Sequence, residues 1–123
     1  MPSRLRPVLA WAIDLLLLLA FVAIGRASHG EGPAGFFLTL LPFLVGLQSG
    51  WLLRAGRDPI RIVPSGLIVW ASTLVLGMLL RALTGQGVAL SFVIVTALVL
   101  AAFLLGWRAL ALLINRVRAR RAA

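Results

Sequence analysis

Residues 8–24 read VLAWAIDLLLLLAFVAI, an apolar run that only Asp14 interrupts. At about 1.5 Å of rise per residue, such a run forms a helix of about 26 Å, close to the ~30 Å hydrocarbon core of a bilayer. Three more runs follow, at residues 35–53, 64–80 and 88–107. Transmembrane β-strands are alternating segments of about 10 residues, so these continuous runs predict helices. We expect an all-α, polytopic membrane protein: one domain over residues 1–123, an up-down bundle of four transmembrane helices with a basic tail at 108–123.

The composition favours the same fold class. Hydrophobic residues make up 62% of the 123 residues and charged residues 12%, about half the ~25% of a typical soluble domain. A soluble domain of this size buries only about 60–70% of its unfolded surface, which leaves no room for so much apolar side chain. Cysteine is absent, so a thiolate metal site is excluded. Four spans leave too few residues for a separate catalytic domain, and we expect neither enzyme activity nor a cofactor.

The charge of +9 comes almost wholly from arginine. A nucleic-acid-binding protein needs such charges on one face of a folded domain. Here they lie between the apolar runs, so we expect no nucleic-acid partner. All but Arg26 and Arg81 fall on one side of the predicted bundle, which by the positive-inside rule places both termini in the cytoplasm. The cytoplasmic arginines are also expected to contact anionic lipid. The start of the chain resembles a signal peptide too, but its apolar run is long for one and contains Asp14.

Two polar side chains lie inside the predicted spans. Asp14 is about 9 Å from the cytoplasmic edge and Gln48 about 7–8 Å from the same edge, so we expect them to meet. Arg108, at the inner end of span four, is long enough to reach back toward Asp14. Two interpretations remain open: a structural hydrogen bond or ion pair between helices, and a carboxylate that handles a proton or cation.

Small residues predict close helix contacts in two spans: Gly46 and Gly50 in span two, and Gly66, Thr73 and Gly77 in span three. Gln48 points away from the Gly46 face, so span two has two faces that avoid lipid. The alternatives are contact with another chain, as in a homo-oligomer, and ordinary packing within one chain.

The two loops on the outer side bring polar residues to one membrane face: Arg26, His29 and Glu31 in the first, and Arg81 and Gln86 at the second. With Asp14 and Gln48 they form our candidate ligand or ion site. Arginine forks bind anions, and His29, with an ordinary pKa near ~6.5, can transfer a proton. The alternative is structural, with Glu31 paired to Arg26 or Arg81. His29 and Glu31 are too few ligands for a metal, and we expect no metal site.

Several of these elements together resemble a known family. They are the Asp14 helix ending in Gly25-Arg26-Ala27-Ser28-His29-Gly30-Glu31, Pro42-Phe43-Leu44-Val45-Gly46, Gly50-Trp51, Trp70, Gly77-Met78-Leu79-Leu80-Arg81, Gly85-Gln86-Gly87, Ser91-Phe92-Val93 and Gly106-Trp107-Arg108. From about Asp14 to Arg108 the chain is similar to the domain of unknown function 3054 family, small membrane proteins of actinobacteria and archaea. The resemblance implies a four-span domain without an assigned activity, and therefore no catalytic residue.

The expected function is that of an integral membrane protein in a cell membrane, and the composition suits a bacterium with a high-GC genome. Four short helices enclose little lumen, so one hypothesis is a small transporter or channel for a small solute or ion that works as an oligomer. The alternative is an accessory or scaffold subunit that docks on a larger membrane complex through the small-residue faces.

Overall fold

The protein is a bundle of helices. The structure, a computed structural model, describes residues 5–32 and 34–122. The helices are α1 (Leu5–Ser28), α2 (Phe36–Leu53), α3 (Leu67–Leu83), α4 (Leu90–Leu100) and α5 (Gly106–Ala122). A wider, π-type turn at Ile62–Gly66 leads into α3, and another at Ala101–Leu105 joins α4 to α5. The predicted all-α four-helix bundle is confirmed.

In the part of the chain that the structure describes, four helices are long and apolar enough to cross a membrane, as expected for a multi-pass protein: Arg6–Ser28, Phe36–Leu53, Ile62–Leu83 and Leu90–Ala122. The last has 33 residues and so is about 50 Å long, more than the ~30 Å hydrocarbon core. The predicted basic tail is therefore the continuation of the fourth helix, at least as far as Ala122. Pro7 lies in the first turn of α1, where no helical N–H is needed.

Each helix turns a stripe of residues toward the core. Steps of four residues, which stay on one face of a helix, separate the buried positions of two stripes. They are Ala10, Asp14, Leu18 and Val22 in α1, and Thr96, Leu100, Leu104 and Arg108 in the fourth helix. The core between them is apolar, with Phe43 and Leu47 of α2 fully buried. Polar side chains enter this core toward both of its ends.

The closest helix contact joins α2 to α3 through glycine. A Cβ at Gly46 would lie 2.7 Å from the Ser72 carbonyl oxygen, and one at Gly50 would lie 2.9 Å from the Val69 Cα. In the same interface a Cβ at Gly77 would lie 2.4 Å from the Phe43 ring. Only glycine permits such an approach. The small-residue faces of α2 and α3 therefore pack against each other within one chain, and docking of another protein on them stays a prediction.

The bundle has two ends, which we call the loop end and the basic end. The loop end contains residues 29–32, 34–35 and 84–89, and the basic end contains residues 54–61 and the start of α5. Gly66 faces the basic end: a Cβ there would lie 3.0 Å from the Arg108 Cδ and 3.0 Å from the Leu105 Cδ2. Its missing side chain leaves room for the Arg108 side chain.

Candidate functional site

At the basic end, Asp14 and Arg108 form an ion pair that is completely buried. The Arg108 Nη1 donates to the Asp14 Oδ1 at 2.8 Å, and Nη2 donates to Oδ2 at 2.7 Å. This two-pronged geometry is the strongest arrangement of an arginine with a carboxylate. The expected contact between Asp14 and Arg108 is confirmed.

Two tryptophans complete the surroundings of the Asp14 carboxylate. The Trp107 Nε1 donates to Oδ1 at 2.7 Å, and the Trp51 Nε1 donates to Oδ2 at 2.9 Å. Each oxygen thus accepts two hydrogen bonds, one from arginine and one from tryptophan. A buried charge is tolerated only when its hydrogen-bonding capacity is filled in this way. The cluster ties α1 to α2 and to the start of α5.

Arg108 is also satisfied by the backbone. Its Nε donates to the Pro59 carbonyl oxygen at 2.8 Å, and Nη1 donates to the Leu104 carbonyl oxygen at 2.9 Å. Pro59 belongs to the connection between α2 and α3, so this one side chain reaches that connection as well as α1. We call Asp14, Trp51, Trp107 and Arg108 the basic-end cluster.

Gln48 does not join this cluster, which corrects the expectation that it meets Asp14. It lies on an exposed face of α2, and its Oε1 accepts a hydrogen bond from the Trp11 Nε1 of α1. The depth along the helices was predicted correctly, but Trp51, three residues further on, points inward and takes the place next to the carboxylate. The second lipid-avoiding face of α2 therefore also finds its partner within the chain.

Arg54 adds a second positive charge beside the cluster. Its guanidinium lies 4.3 Å from the centroid of the Trp51 ring, and Nη1 donates to the Arg57 carbonyl oxygen at 2.7 Å. Burial, and then repulsion from Arg108, lower the pKa of Arg54.

At the loop end, Arg26 closes the connection between α1 and α2. Its Nη1 lies 3.0 Å from the Glu31 Oε2 and donates to the Thr39 Oγ1 at 2.8 Å. Its Nε and Nη2 donate to the Gly32 carbonyl oxygen at 3.2 and 3.0 Å. Of the two pairings considered for Glu31, the structure therefore has the one with Arg26. His29 lies beside them and is exposed.

Arg81 closes the connection between α3 and α4 in the same way. Its Nε and Nη2 donate to the Gly87 carbonyl oxygen at 3.1 and 2.9 Å, and Nη1 donates to the Gln86 Oε1 at 3.0 Å. The guanidinium also lies 4.6 Å from the centroid of the Phe92 ring. Both loop-end arginines thus hold their own loops through carbonyl oxygens.

The two loops also share the same pair of backbone hydrogen bonds. The Glu31 N–H donates to the Arg26 carbonyl and the Gly30 N–H to the Ala27 carbonyl, at 2.8 and 3.1 Å, and 55 residues later the corresponding bonds measure 2.8 and 3.2 Å. This pair of bonds is the Schellman motif, which ends a helix with a left-handed residue. Gly30 and Gly85 supply that residue, with φ of 70° and 77°.

These matches reveal an internal repeat that our sequence analysis missed. Residues 26–32 read RASHGEG and residues 81–87 read RALTGQG, which agree at four of seven positions and place Gln opposite Glu. The helices before the two loops end at the same offset, at Ser28 and Leu83, and the helices after them begin at Phe36 and Leu90, 54 residues apart. The chain is thus two parallel helical hairpins, α1–α2 and α3–α4. The signal was available as a self-match of the sequence at a fixed spacing.

The two sides of the bundle differ in how closely their helices approach. At the offset of 55 residues, Gly46 and Gly50 correspond to Ala101 and Leu105, and Gly77 corresponds to Val22. The close contact between α2 and α3 is made by glycines, whereas the corresponding positions carry side chains. α1 and α4 approach each other much less closely than α2 and α3 do, so this side of the bundle is open.

A pocket of about 540 Å³ lies at the loop end on this open side. Its walls come from all four helices and both loops, and the polar or charged side chains among them are Arg26, Ser28, His29, Glu31, Thr39, Arg81, Gln86 and Thr96. Phe21, Phe43 and Phe92 supply the aromatic part. Ligand pockets measure about 300–1,000 Å³ and combine a mainly apolar lining with a few polar groups, and this one fits both criteria.

Thr96 is the unexpected member of this pocket. It is fully buried, and among the residues that the structure describes its hydroxyl has no hydrogen-bond partner. Thr96 lies six residues into α4 from Leu90, about 9 Å below the loop end. A buried hydroxyl is ordinarily paired, so this one identifies a place for a polar atom that the chain itself does not provide. Its sequence context, an apolar run, gave no such signal.

The candidate residues from the sequence thus fall in two places. Arg26, His29, Glu31, Arg81 and Gln86 line the loop-end pocket. Asp14 lies seven residues before Phe21, the first residue of α1 that lines that pocket, which is about 10 Å along the helix. The fully buried leucines of the core, among them Leu18 and Leu100, separate the pocket from the basic-end cluster. Within residues 5–32 and 34–122, no three His, Asp or Glu side chains are grouped so as to hold a metal ion.

Comparison with known proteins places this chain in a family. Residues 11–111 match the model of the family described as "Protein of unknown function (DUF3054)". This match covers most of the chain, and the protein belongs to that family. No curated protein and no solved structure matches it.

Proposed function

We propose that this protein is a transporter and not an enzyme, and that it carries a small solute across the membrane along the interface between its two hairpins. It does so as an oligomer. The observation that carries the proposal is the loop-end pocket between the hairpins, which is accessible at one end of the bundle and closed toward the other. Four helices alone enclose little lumen, so more than one chain is needed for a complete pathway.

The internal repeat supports this proposal. Many secondary transporters consist of parallel or inverted repeats, with the substrate bound where the repeats meet. In this chain the pocket lies at that place, between α1 of the first hairpin and α4 of the second. Arg26 and Arg81 fix the loops at its entrance, one from each hairpin.

The closed end supports it as well. Below the pocket, the fully buried Leu18, Leu100 and Leu104 fill the core, and the basic-end cluster ties α1 to the fourth helix. A transporter that alternates between two open states needs such a closure opposite its accessible pocket. In the proposal the loop end faces outward and the basic end faces the cytoplasm, in accord with the positive-inside rule.

Flux into liposomes tests the proposal. Vesicles containing the protein are mixed with a panel of organic acids, amino acids, sugars and monovalent salts, and swelling is followed by light scattering. At least one solute is expected to enter faster than it enters protein-free vesicles. Ala89→Trp places a bulky ring at the pocket rim and should slow that entry severalfold, whereas Val88→Trp, next to it but outside the pocket, should not. If no solute in the panel enters faster than it enters empty vesicles, the proposal is wrong.

One feature favours the alternative role as an accessory subunit. Beyond Arg108, α5 carries exposed apolar residues at helical spacing, Leu110, Leu113, Ile114 and Val117, among its arginines. Native mass measurement after purification in mild detergent separates the two roles. A closed homo-oligomer supports transport, and a stoichiometric complex with a different protein supports the accessory role. The anionic-lipid contact of these arginines stays a prediction.

A further inference from the structure

We infer that the loop-end pocket binds a small organic monoanion, a carboxylate that carries an apolar group. This inference rests on the proposed function, because it names the class of solute that the pathway would accept. Three independent features of the pocket lead to it: its charge, its lining and its buried hydroxyl.

The charge of the pocket leaves one positive group without a carboxylate. Arg26 is neutralised by Glu31, at 3.0 Å. Arg81, among the residues that the structure describes, bonds only to neutral oxygens, those of Gly87 and Gln86. Those bonds use three of its five N–H groups, so two donors remain. The guanidinium is half-buried, where an unbalanced positive charge attracts an anion strongly.

The lining excludes a purely inorganic anion as the best occupant. Phe21 and Phe43 lie in a T-shaped pair with centroids 5.6 Å apart, and Phe92 lies 6.4 Å from Phe43. All three border the pocket, together with Val22 and Val95. A hydrated ion gains nothing from such walls, whereas an apolar group gains by leaving water. The ligand therefore combines a charged end at Arg81 with an apolar body against the phenylalanines.

The Thr96 hydroxyl supplies a second polar contact. It is fully buried, has no hydrogen-bond partner within residues 5–32 and 34–122, and lies in the pocket wall deeper than Arg81. A ligand that reaches the Thr96 hydroxyl can accept a hydrogen bond from it or donate one to it. Replacing Thr96 by valine keeps the shape of the side chain and removes only this hydroxyl.

Equilibrium binding of radiolabelled benzoate to the purified full-length protein in neutral detergent tests the inference. Benzamide, which has nearly the same shape and no charge, is the matched ligand. We expect saturable benzoate binding that benzamide and equimolar chloride do not displace. Absence of saturable binding would overturn the inference. If benzamide displaced benzoate equally well, the negative charge would not be recognised. If chloride displaced it equally well, the apolar group would not be recognised. Either result would overturn the inference.

Variants assign the binding to the pocket. Arg81→Gln should weaken it by about tenfold or more, since it removes a charged hydrogen bond, and Arg116→Gln, the same change at the exposed far end, should leave it unchanged. Thr96→Val should weaken it severalfold, whereas Thr73→Val, whose hydroxyl bonds to the Val69 carbonyl oxygen outside the pocket, should not. Glu31→Gln should tighten it, because Arg26 then also lacks a carboxylate. This variant keeps the test decisive if Arg81→Gln fails to fold, and benzoate affinity unchanged in Thr96→Val and Glu31→Gln would overturn the inference.

The binding experiment and the flux experiment fail separately. Benzoate binding without flux of any solute would support the inference about the ligand and contradict the transport proposal. Flux of a sugar or a cation without benzoate binding would support the transport proposal and contradict the inference about the ligand.

Discussion

At the scale of single residues, Asp14 is a fully buried carboxylate within the first of the four helices that are apolar enough to cross a membrane. An isolated charge at this depth in a membrane is costly. Here the carboxylate accepts four hydrogen bonds, two from Arg108 and one each from Trp51 and Trp107. This arrangement favours a structural ion pair over a carboxylate that carries protons, because no lone pair is left for a transported ion.

At this scale we predict the stability of the pair. Asp14→Asn leaves the Arg108 guanidinium buried and uncompensated, which should cost about 3–5 kcal/mol in the free energy of unfolding. The double variant Asp14→Leu with Arg108→Met removes both charges and should recover most of that loss. Loss of helical circular dichroism in a sodium dodecyl sulfate titration measures both. Arg116→Met, at an exposed position, is the control and should unfold like the parent. An unchanged midpoint for Asp14→Asn would contradict the structural role.

The sequence predicted the depth of these residues but not their direction. Counting along the helix placed Asp14 and Gln48 at similar levels and suggested that they touch. Contact depends on the rotation of each helix about its axis, which small differences in packing decide, and α2 turns Trp51 inward and Gln48 toward Trp11. Long side chains such as Arg108 tolerate errors of rotation, so that contact was predictable.

At the scale of elements, glycine decides which helices approach. Because Gly46 and Gly50 have no Cβ, α2 comes into backbone contact with α3. The positions that correspond to them, Ala101 and Leu105, carry side chains. Small residues were evident in the sequence, and their use in close packing was predicted. Whether they faced another helix of the same chain or another molecule was not decided there, because both surfaces look alike in sequence.

We predict that Gly77→Ala destabilises the bundle by about 1–3 kcal/mol, the usual range for overpacking a filled core. Its Cβ would overlap the Phe43 ring, at 2.4 Å, and that ring is fully buried with little room to move. Gly106→Ala is the matched control, since a Cβ there meets nothing within 4 Å and the backbone is helical. It should be neutral or slightly stabilising in the same unfolding titration. Equal effects of the two changes would contradict the packing described for α2 and α3.

The hairpin loops supply a second test at this scale. If the two Schellman motifs are equivalent, Gly30→Ala and Gly85→Ala should have similar effects, each about 1–2 kcal/mol, because alanine resists a positive φ. Gly32→Ala is the control, with free space around its Cβ and no left-handed backbone. Unfolding of all three variants under one condition gives the comparison. A large effect in one loop and none in the other would argue against a repeat.

At the scale of the whole molecule, two parallel hairpins form a bundle that is tight on one side and open on the other. The fold class followed from apolar length alone, since runs of this kind have one stable form in lipid. The pocket did not, because it depends on which side chains of four different helices and two loops come together at the loop end. Both the solute pathway and its proposed ligand depend on this arrangement.

The arrangement is tested most directly by the side of the membrane on which each connection lies. The natural chain has no cysteine, so a single introduced thiol reports one position. Ser28→Cys and Thr84→Cys, at the two equivalent loops, and Arg57→Cys and Arg118→Cys, at the basic end, are treated in intact cells with a membrane-impermeant maleimide. We predict labelling of the first two alone, with the other two reacting only after the membrane is opened. Ser28→Cys and Thr84→Cys reacting from opposite sides would contradict the parallel hairpins and everything built on them.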